Sequence, residues 1–341
     1  MKPYQTLLLS GSGSLVPESH PGRLDRDRRI FYLVENGKPW RYKGRTAFKL
    51  MEMYRQGADI ASWINLYTKL GFNTFRVFRN KPASSGSGFS DPGWSTPSLL
   101  LADEFMNFMS SMGCRVELTL VTQIESSLDD LPSWAEMLQS HDNTFMEGVN
   151  EPDGRKNPAG DVWNKILSAL MPKASGEYDP SKPLPGNYLT WHADRNSDPR
   201  EFSRKAKGIL EMYDGWDGYN SPKIPVVGDE PAKPSEYGYD IPGTLAHFGI
   251  YGLFGAGGTF HDLDGQFIYP PKDNDYECAK AAAQGLNAFP EDAPNVYSYR
   301  HDDVAKQDEI KTGSSRTYLT YGSNYGVRCC PTDGSPTLIG V

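Results

Sequence analysis

Between residues 30 and 295 the chain alternates short apolar runs with longer amphipathic ones. Ile30 to Val34 and Trp40 to Thr46, joined through Asn36-Gly37, read as a hairpin leading into a first strand, because Asn-Gly tolerates positive φ at both turn positions. Arg55 to Leu70 places Ile60, Trp63, Ile64, Tyr67 and Leu70 at helical spacing and meets Gly71 where a C-cap belongs. Phe72 to Phe78 is a β-branched and aromatic run of strand length. Ser98 to Met112 predicts a helix with Leu99, Leu100, Phe105, Phe108 and Met109 on its apolar positions. Arg115 to Val121 predicts a third strand, Leu131 to Ser140 a helix, and Thr144 to Asn150 a fourth strand.

The second half repeats the order less regularly. Asp161 to Leu170 reads as a helix, followed by a Pro-Gly-Ser-rich segment to Gly186 and a strand over Tyr188 to His192. A helix over Arg200 to Tyr213 precedes the strand Ile224 to Val227, which runs out into Gly228-Asp229-Glu230-Pro231. A helix over Ala246 to Phe254 leads to a last strand entering Thr259 to Asp262, and Tyr276 to Phe289 reads as a helix with alanines facing inward. Strand, helix, strand with short connections predicts parallel strands and helical crossovers. The expected fold is α/β, a (β/α)8 barrel whose fifth strand is short or irregular within Ala174 to Gly186. Residues 1–29, rich in Gly, Ser, Pro and charge, read as an arm over the surface; residues 30–295 form the barrel. Residues 296–341 hold strand-like runs at Thr317 to Tyr321 and Tyr325 to Cys329, expected to pack on the barrel as a small β appendage.

Composition narrows the partners. A net charge of −8 argues against a nonspecific nucleic-acid or anionic-membrane partner and fits a neutral or cationic ligand. Seven Trp, 19 Tyr and 15 Phe supply rings that fill cores and also stack on the apolar faces of sugars. Cys114, Cys278, Cys329 and Cys330 show neither CxxC spacing nor a disulfide framework, and Cys114, at the head of an apolar strand, reads as a buried thiol. Leu7-Leu8-Leu9 is shorter than a secretion signal requires, and no stretch approaches membrane-span length, so a soluble globule is expected. No cofactor is called for.

The chemistry concentrates at two strand ends. Phe145-Met146-Glu147-Gly148-Val149-Asn150-Glu151-Pro152 is an apolar run that stops in an amide, a carboxylate and a proline that ends pairing. Val226-Val227-Gly228-Asp229-Glu230 offers a second carboxylate at a second strand edge. Barrels present their reacting groups at such edges. Paired carboxylates across a gap are what glycoside hydrolysis needs, one protonating the leaving oxygen and one attacking the anomeric carbon or activating water.

Asn150-Glu151-Pro152, Arg76 within Phe75-Arg76-Val77, His192 at an intermediate strand end and Glu230 after an apolar strand together resemble the clan A retaining glycoside hydrolases, the cellulase-like and mannanase-like barrels. Glu35-Asn36-Gly37-Lys38-Pro39-Trp40 also resembles the opening strand of those enzymes. The resemblance implies that Glu151 is the acid/base, Glu230 the nucleophile and Asn150 a donor to the 2-hydroxyl of a carbohydrate substrate. It implies that Arg76 keeps the nucleophile ionised and that His192 hydrogen-bonds beside one of the two acids. Adjacent residues on a strand point to opposite sides, so Asp229 stands as the alternative to Glu230.

Each of these residues has a plainer role open to it. Arg76 could serve a structural ion pair and His192 could simply be packed. Trp191, Trp94 and Tyr237 are candidate stacking platforms with Trp40, and Trp94, in a Gly/Ser/Pro loop, is the one expected to lie outside the core. His261, in Phe260-His261-Asp262-Leu263-Asp264-Gly265, is expected to contact sugar, since its Asp-x-Asp-Gly fragment lacks the rest of a calcium loop. A barrel that binds carbohydrate without chemistry and a metal-dependent hydrolase using His192 and His261 are the competing functions; the latter lacks a His-x-His pair at strand one.

Overall fold

The computed structural model describes residues 21–26, 33–82, 84–86, 89–91, 93–122, 128–150, 159–166, 173–174, 188–192, 226–229, 244, 248–249, 257–260, 273–287, 296–302, 307–312, 315–320, 326–331 and 337–339. The expected helices over 200–213 and, for the most part, 246–254 lie outside these residues.

Eight strands form one sheet in which every described pairing is parallel. In chain order they are strand one Tyr42–Thr46, two Thr74–Phe78, three Arg115–Val121, four Thr144–Val149, five Lys173–Ala174, six Leu189–His192, seven Val226–Asp229 and eight Gly257–Phe260. Neighbours run five, four, three, two, one, eight, seven, six, so strands one to five and six to eight pair consecutively and strand eight returns to strand one. The sheet curls around an interior. Tyr188, immediately before strand six, touches the rings of Tyr42 on strand one and Phe145 on strand four. The alternation thus yields the expected (β/α)8 barrel; of its fifth strand, expected within Ala174 to Gly186, the described residues are Lys173 and Ala174, paired to Met146 and Glu147, and residues 175–187 lie outside the described residues.

Among the described residues, helices lie between strands one and five and after strand eight, each carrying one apolar stripe. Leu99–Ser111 buries Ala102, Phe105, Met106 and Met109, a spacing of three and four, and starts where the Ser98 side chain accepts from the Leu101 N–H. Leu100 is off that stripe and 69% exposed, against the expectation that it lies on the apolar face. The helix expected over 55–70 is Ile60–Thr68, starting later because Asp59 caps it by accepting from Ser62 N and Oγ, and a separate short helix that was not expected, Leu50–Arg55, precedes it. Asp273–Asn287 turns Ala279, Ala282 and Ala283 inward, as expected from its alanines. These stripes meet the outward residues Phe75, Val77, Val116, Leu118 and Met146 in one apolar shell, where each fully buried large side chain contributes about 1.5–3 kcal/mol. Cys114 is buried there as expected, and burial pushes its thiol up to about 12.

Two features close the N-terminal end of the barrel. The hairpin Leu33–Glu35 and Lys38–Trp40 turns through Asn36 and Gly37, both at positive φ, the geometry that Asn-Gly was expected to supply. Leu24–Arg26, within the stretch expected to be a surface arm, adds a third antiparallel strand, because Leu24 is apolar enough to be buried with Leu33 and Trp40. Together they cover Tyr42, Phe145, Tyr188 and Val227. Arg115, at the start of strand three, fixes the hairpin by donating to Glu35 at 2.7 Å and to the Gly22 carbonyl at 2.8 Å. Strand eight approaches strand one so closely that a Cβ on Gly257, at φ 135°, would stand 1.7 Å from the Tyr42 carbonyl oxygen. Only glycine fits that contact.

Residues 296–341 contain a five-stranded antiparallel sheet, Val296–Asp302, Gln307–Thr312, Ser315–Thr320, Gly326–Pro331 and Thr337–Ile339, in that order. The two runs read from sequence are its third and fourth strands. The others are charged or short, as in Gln307-Asp308-Glu309-Ile310-Lys311-Thr312, and lack the apolar alternation by which strands are recognised. Among the described residues no helix is long and apolar enough to cross a membrane.

Candidate active site

With the N-terminal end filled by rings, the reacting end is where the strands stop. Strand two carries Arg76 between Phe75 and Val77, both of which belong to the outer shell, so Arg76 points into the barrel. Strand three brings in Glu117 and Thr119, and strand four Glu147. Register sets Arg76 beside Glu117 and Thr119 beside Glu147. All four are buried.

Arg76 and Glu147 make a multiply bonded ion pair. Arg76 Nε donates to Glu147 Oε2 at 3.1 Å, and Nη2 donates to Oε1 at 3.0 Å and Oε2 at 2.9 Å. The Thr119 hydroxyl donates to the same Oε2. A buried pair offsets its desolvation only with such geometry and extra hydrogen bonds. The same Arg76 Nη2 donates to Asn150 Oδ1 at 2.8 Å. Asn150 follows strand four directly, is 7% exposed, and its N–H donates to the Val121 carbonyl at 2.9 Å, which carries the pairing with strand three past the strand's end.

One layer towards the N-terminal end, Glu117 accepts from the hydroxyls of Tyr42 and Tyr188, the latter at 2.8 Å. Burial first, and then the charge of Glu117, pushes the Tyr188 phenol well above its usual value, so it remains a donor. Towards the rim, Phe48 and Phe78 stack with centroids 3.8 Å apart, and the Arg76 guanidinium lies 5.6 and 5.5 Å from their rings. Trp94 joins them at 9% exposure, with its backbone paired to Lys81 and Lys81 Nζ 6.0 Å from its ring. The expectation that Trp94 lies outside the core is corrected: its loop folds back so that the indole packs on two phenylalanines.

The structure brings together two of the residues singled out from sequence, Arg76 and Asn150. Arg76 pairs with the Glu147 carboxylate. Trp191 and His192 form the end of strand six, in register with Gly228 and Asp229 of strand seven. Strand seven stops at Asp229, one residue before Glu230, and strand four stops at Val149, two before Glu151. Glu151, Glu230, Tyr237 and His261 lie outside the described residues. Among the described residues no three His, Cys, Asp or Glu side chains gather as a metal site would require.

Sequence reasoning passed over Glu147, Glu117, Thr119 and the two tyrosines. A signal existed: Arg76, Glu117 and Glu147 are single charges inside three successive apolar strands, and buried charges of opposite sign must find one another.

No family model matches the chain, and no curated protein matches it by sequence. Solved structures match by shape. One described as a glycoside hydrolase superposes with a TM-score of 0.65 at 12% identity, covering 94% of this chain and 91% of its own. A family 5 glycoside hydrolase from Bacteroides vulgatus gives 0.64 at 12% identity, covering 90% and 82%. A β-glucanase from Saccharophagus degradans, in complex with cellotetraose, gives 0.54 at 12% identity, covering 79% and 94%. At such identities the likeness is one of fold: the chain builds a (β/α)8 barrel like those of these glycoside hydrolases.

Proposed function

We propose that this protein is a retaining glycoside hydrolase that cleaves β-glycosidic bonds in a poly- or oligosaccharide by double displacement. Glu151 is the acid/base and Glu230 the nucleophile. The observation that carries the reading is the hydrogen bond from buried Arg76 to Asn150 Oδ1, because it fixes the amide beside Glu151 at the reacting end of a barrel. Arginine has donors only, so the Asn150 atom facing it is the carbonyl oxygen and the NH2 is left to donate elsewhere. A donor beside the catalytic acid suits the 2-hydroxyl of a sugar, whose hydrogen bond strengthens in the oxocarbenium-like transition state.

In the first step Glu151, protonated, gives its proton to the leaving oxygen while Glu230 bonds to the anomeric carbon. In the second, ionised Glu151 takes a proton from water, which displaces Glu230 and restores both groups. Retention requires carboxyl groups about 5–5.5 Å apart. Support comes from the order of the barrel: strands four and seven, which precede Glu151 and Glu230 in sequence, are three apart among the eight strands, so their C-terminal ends face one another across one mouth. Asp229, two residues on from the buried Val227 in the same strand, stands as the alternative nucleophile.

The test is cleavage of a panel of aryl β-glycosides, β-glucans and β-mannans, with the first product followed by proton NMR. The β-anomer is expected to form first and then mutarotate. An α-anomer as first product excludes double displacement, and sugar binding with no cleavage of any substrate would make this a carbohydrate-binding barrel instead.

A further inference from the structure

We propose that Glu147 is a positioning residue for the reaction, acting through Arg76 to set which way the Asn150 amide faces. The inference rests on the hydrolase reading above and deepens it. An asparagine amide is nearly symmetric in shape, and its two orientations present opposite hydrogen-bonding groups, NH2 or C=O, to a ligand. What decides between them is the neighbour on the other side. Here that neighbour is Arg76 Nη2, at 2.8 Å from Oδ1.

Arg76 can dictate the choice only while its own plane is fixed. Glu147 fixes it with three contacts between 2.9 and 3.1 Å that engage both Nε and Nη2, and Thr119 holds the carboxylate in turn. The chain of control therefore runs Thr119, Glu147, Arg76, Asn150, across strands three, four and two and back to the end of four. Glu147 is 1% exposed and its carboxylate is bonded to Arg76 and Thr119, so it acts through Arg76 rather than by touching substrate. Glu147→Gln replaces two acceptor oxygens with one acceptor and one donor. The guanidinium then loses its two-point seat, and the Asn150 amide loses the bias that turns its NH2 outward.

The test compares an aryl β-glycoside with its 2-deoxy counterpart. In Glu147→Gln, kcat/KM on the first is expected to fall about tenfold to a hundredfold, chiefly in kcat, and on the 2-deoxy substrate less than about threefold. Equal losses on both overturn the proposal, because a merely structural role does not distinguish them. Thr119→Val removes one bond to Glu147 without changing charge, and is expected to show the same pattern at about threefold even if Glu147→Gln folds poorly.

A second readout does not depend on turnover. In protein labelled with 15N-asparagine, the side-chain NH2 signal of Asn150 is identified by its disappearance in Asn150→Asp. It is expected to shift or broaden in Glu147→Gln and in Thr119→Val. An unmoved signal overturns the positioning role whether or not sugars are cleaved, whereas failure of the unaltered protein to cleave either substrate counts against the hydrolase reading alone.

Discussion

Glu151→Gln and Glu230→Gln are each expected to lower kcat on a β-linked oligosaccharide by about a thousandfold or more, since general acid catalysis alone supplies about 10²–10⁴ and removal of the nucleophile abolishes the covalent path. The two losses differ in kind. Without the Glu151 acid, departure of an alkoxide becomes difficult, so the loss in kcat/KM, which reports the first step, is large for a sugar leaving group and small for a dinitrophenolate that leaves unprotonated. Without the Glu230 nucleophile, leaving-group quality brings no such relief. Added azide sharpens the contrast. With Glu151→Ala it can attack the glycosyl-enzyme and give a β-glycosyl azide; with Glu230→Ala it takes the nucleophile's place and gives the α-anomer. Variants that both cleave as well as the unaltered protein would remove these two residues from the mechanism.

The second large effect concerns stability. Arg76→Met leaves the Glu147 carboxylate inside the barrel with its cation gone, and breaking such a pair from one side costs about 3–5 kcal/mol. Glu147→Met should cost a similar amount for the mirror-image reason. Arg76→Met combined with Glu147→Met removes both charges, and the double variant is expected to recover most of the loss, because two packed thioether side chains avoid the desolvation that the pair must offset. The measurement is the denaturant midpoint of the three variants against the unaltered protein. Activity should not recover with stability, since the double variant lacks the donor that orients Asn150. Additive losses in the double variant would mean that the pair is not coupled as its geometry indicates.

Much of the barrel is legible in the sequence because its rules are local. Ser98 caps a helix whose apolar positions fall three and four apart, and Asn36-Gly37 turns a hairpin. Strand five escapes that reading: Lys173–Ala174 has too few residues for any period, and its partners on strand four define it. Three of the five C-terminal strands escape for another reason, since a ladder of backbone hydrogen bonds holds polar residues as readily as apolar ones. At the site, Arg76 and Asn150 are visible as polar residues where apolar strands end. Glu147 stands in the same run of sequence as Asn150, but its partner is non-local, a cation on strand two, 71 residues earlier. Trp94 shows the converse, a ring in a loop of turn residues that is nevertheless packed, because Phe48 and Phe78 offer it an apolar seat.

The most direct measurement is to trap the intermediate. A dinitrophenyl 2-deoxy-2-fluoro-β-glycoside retains an excellent leaving group, so the first step proceeds, while the fluorine destabilises the charge that develops in the second and the sugar stays on the enzyme. Mass spectrometry of the digested protein, with gluco- and manno-configured reagents, then identifies the labelled side chain. The account predicts one equivalent of sugar, esterified to Glu230. Label on Asp229, on any other residue, or on none while substrate is being cleaved would contradict it.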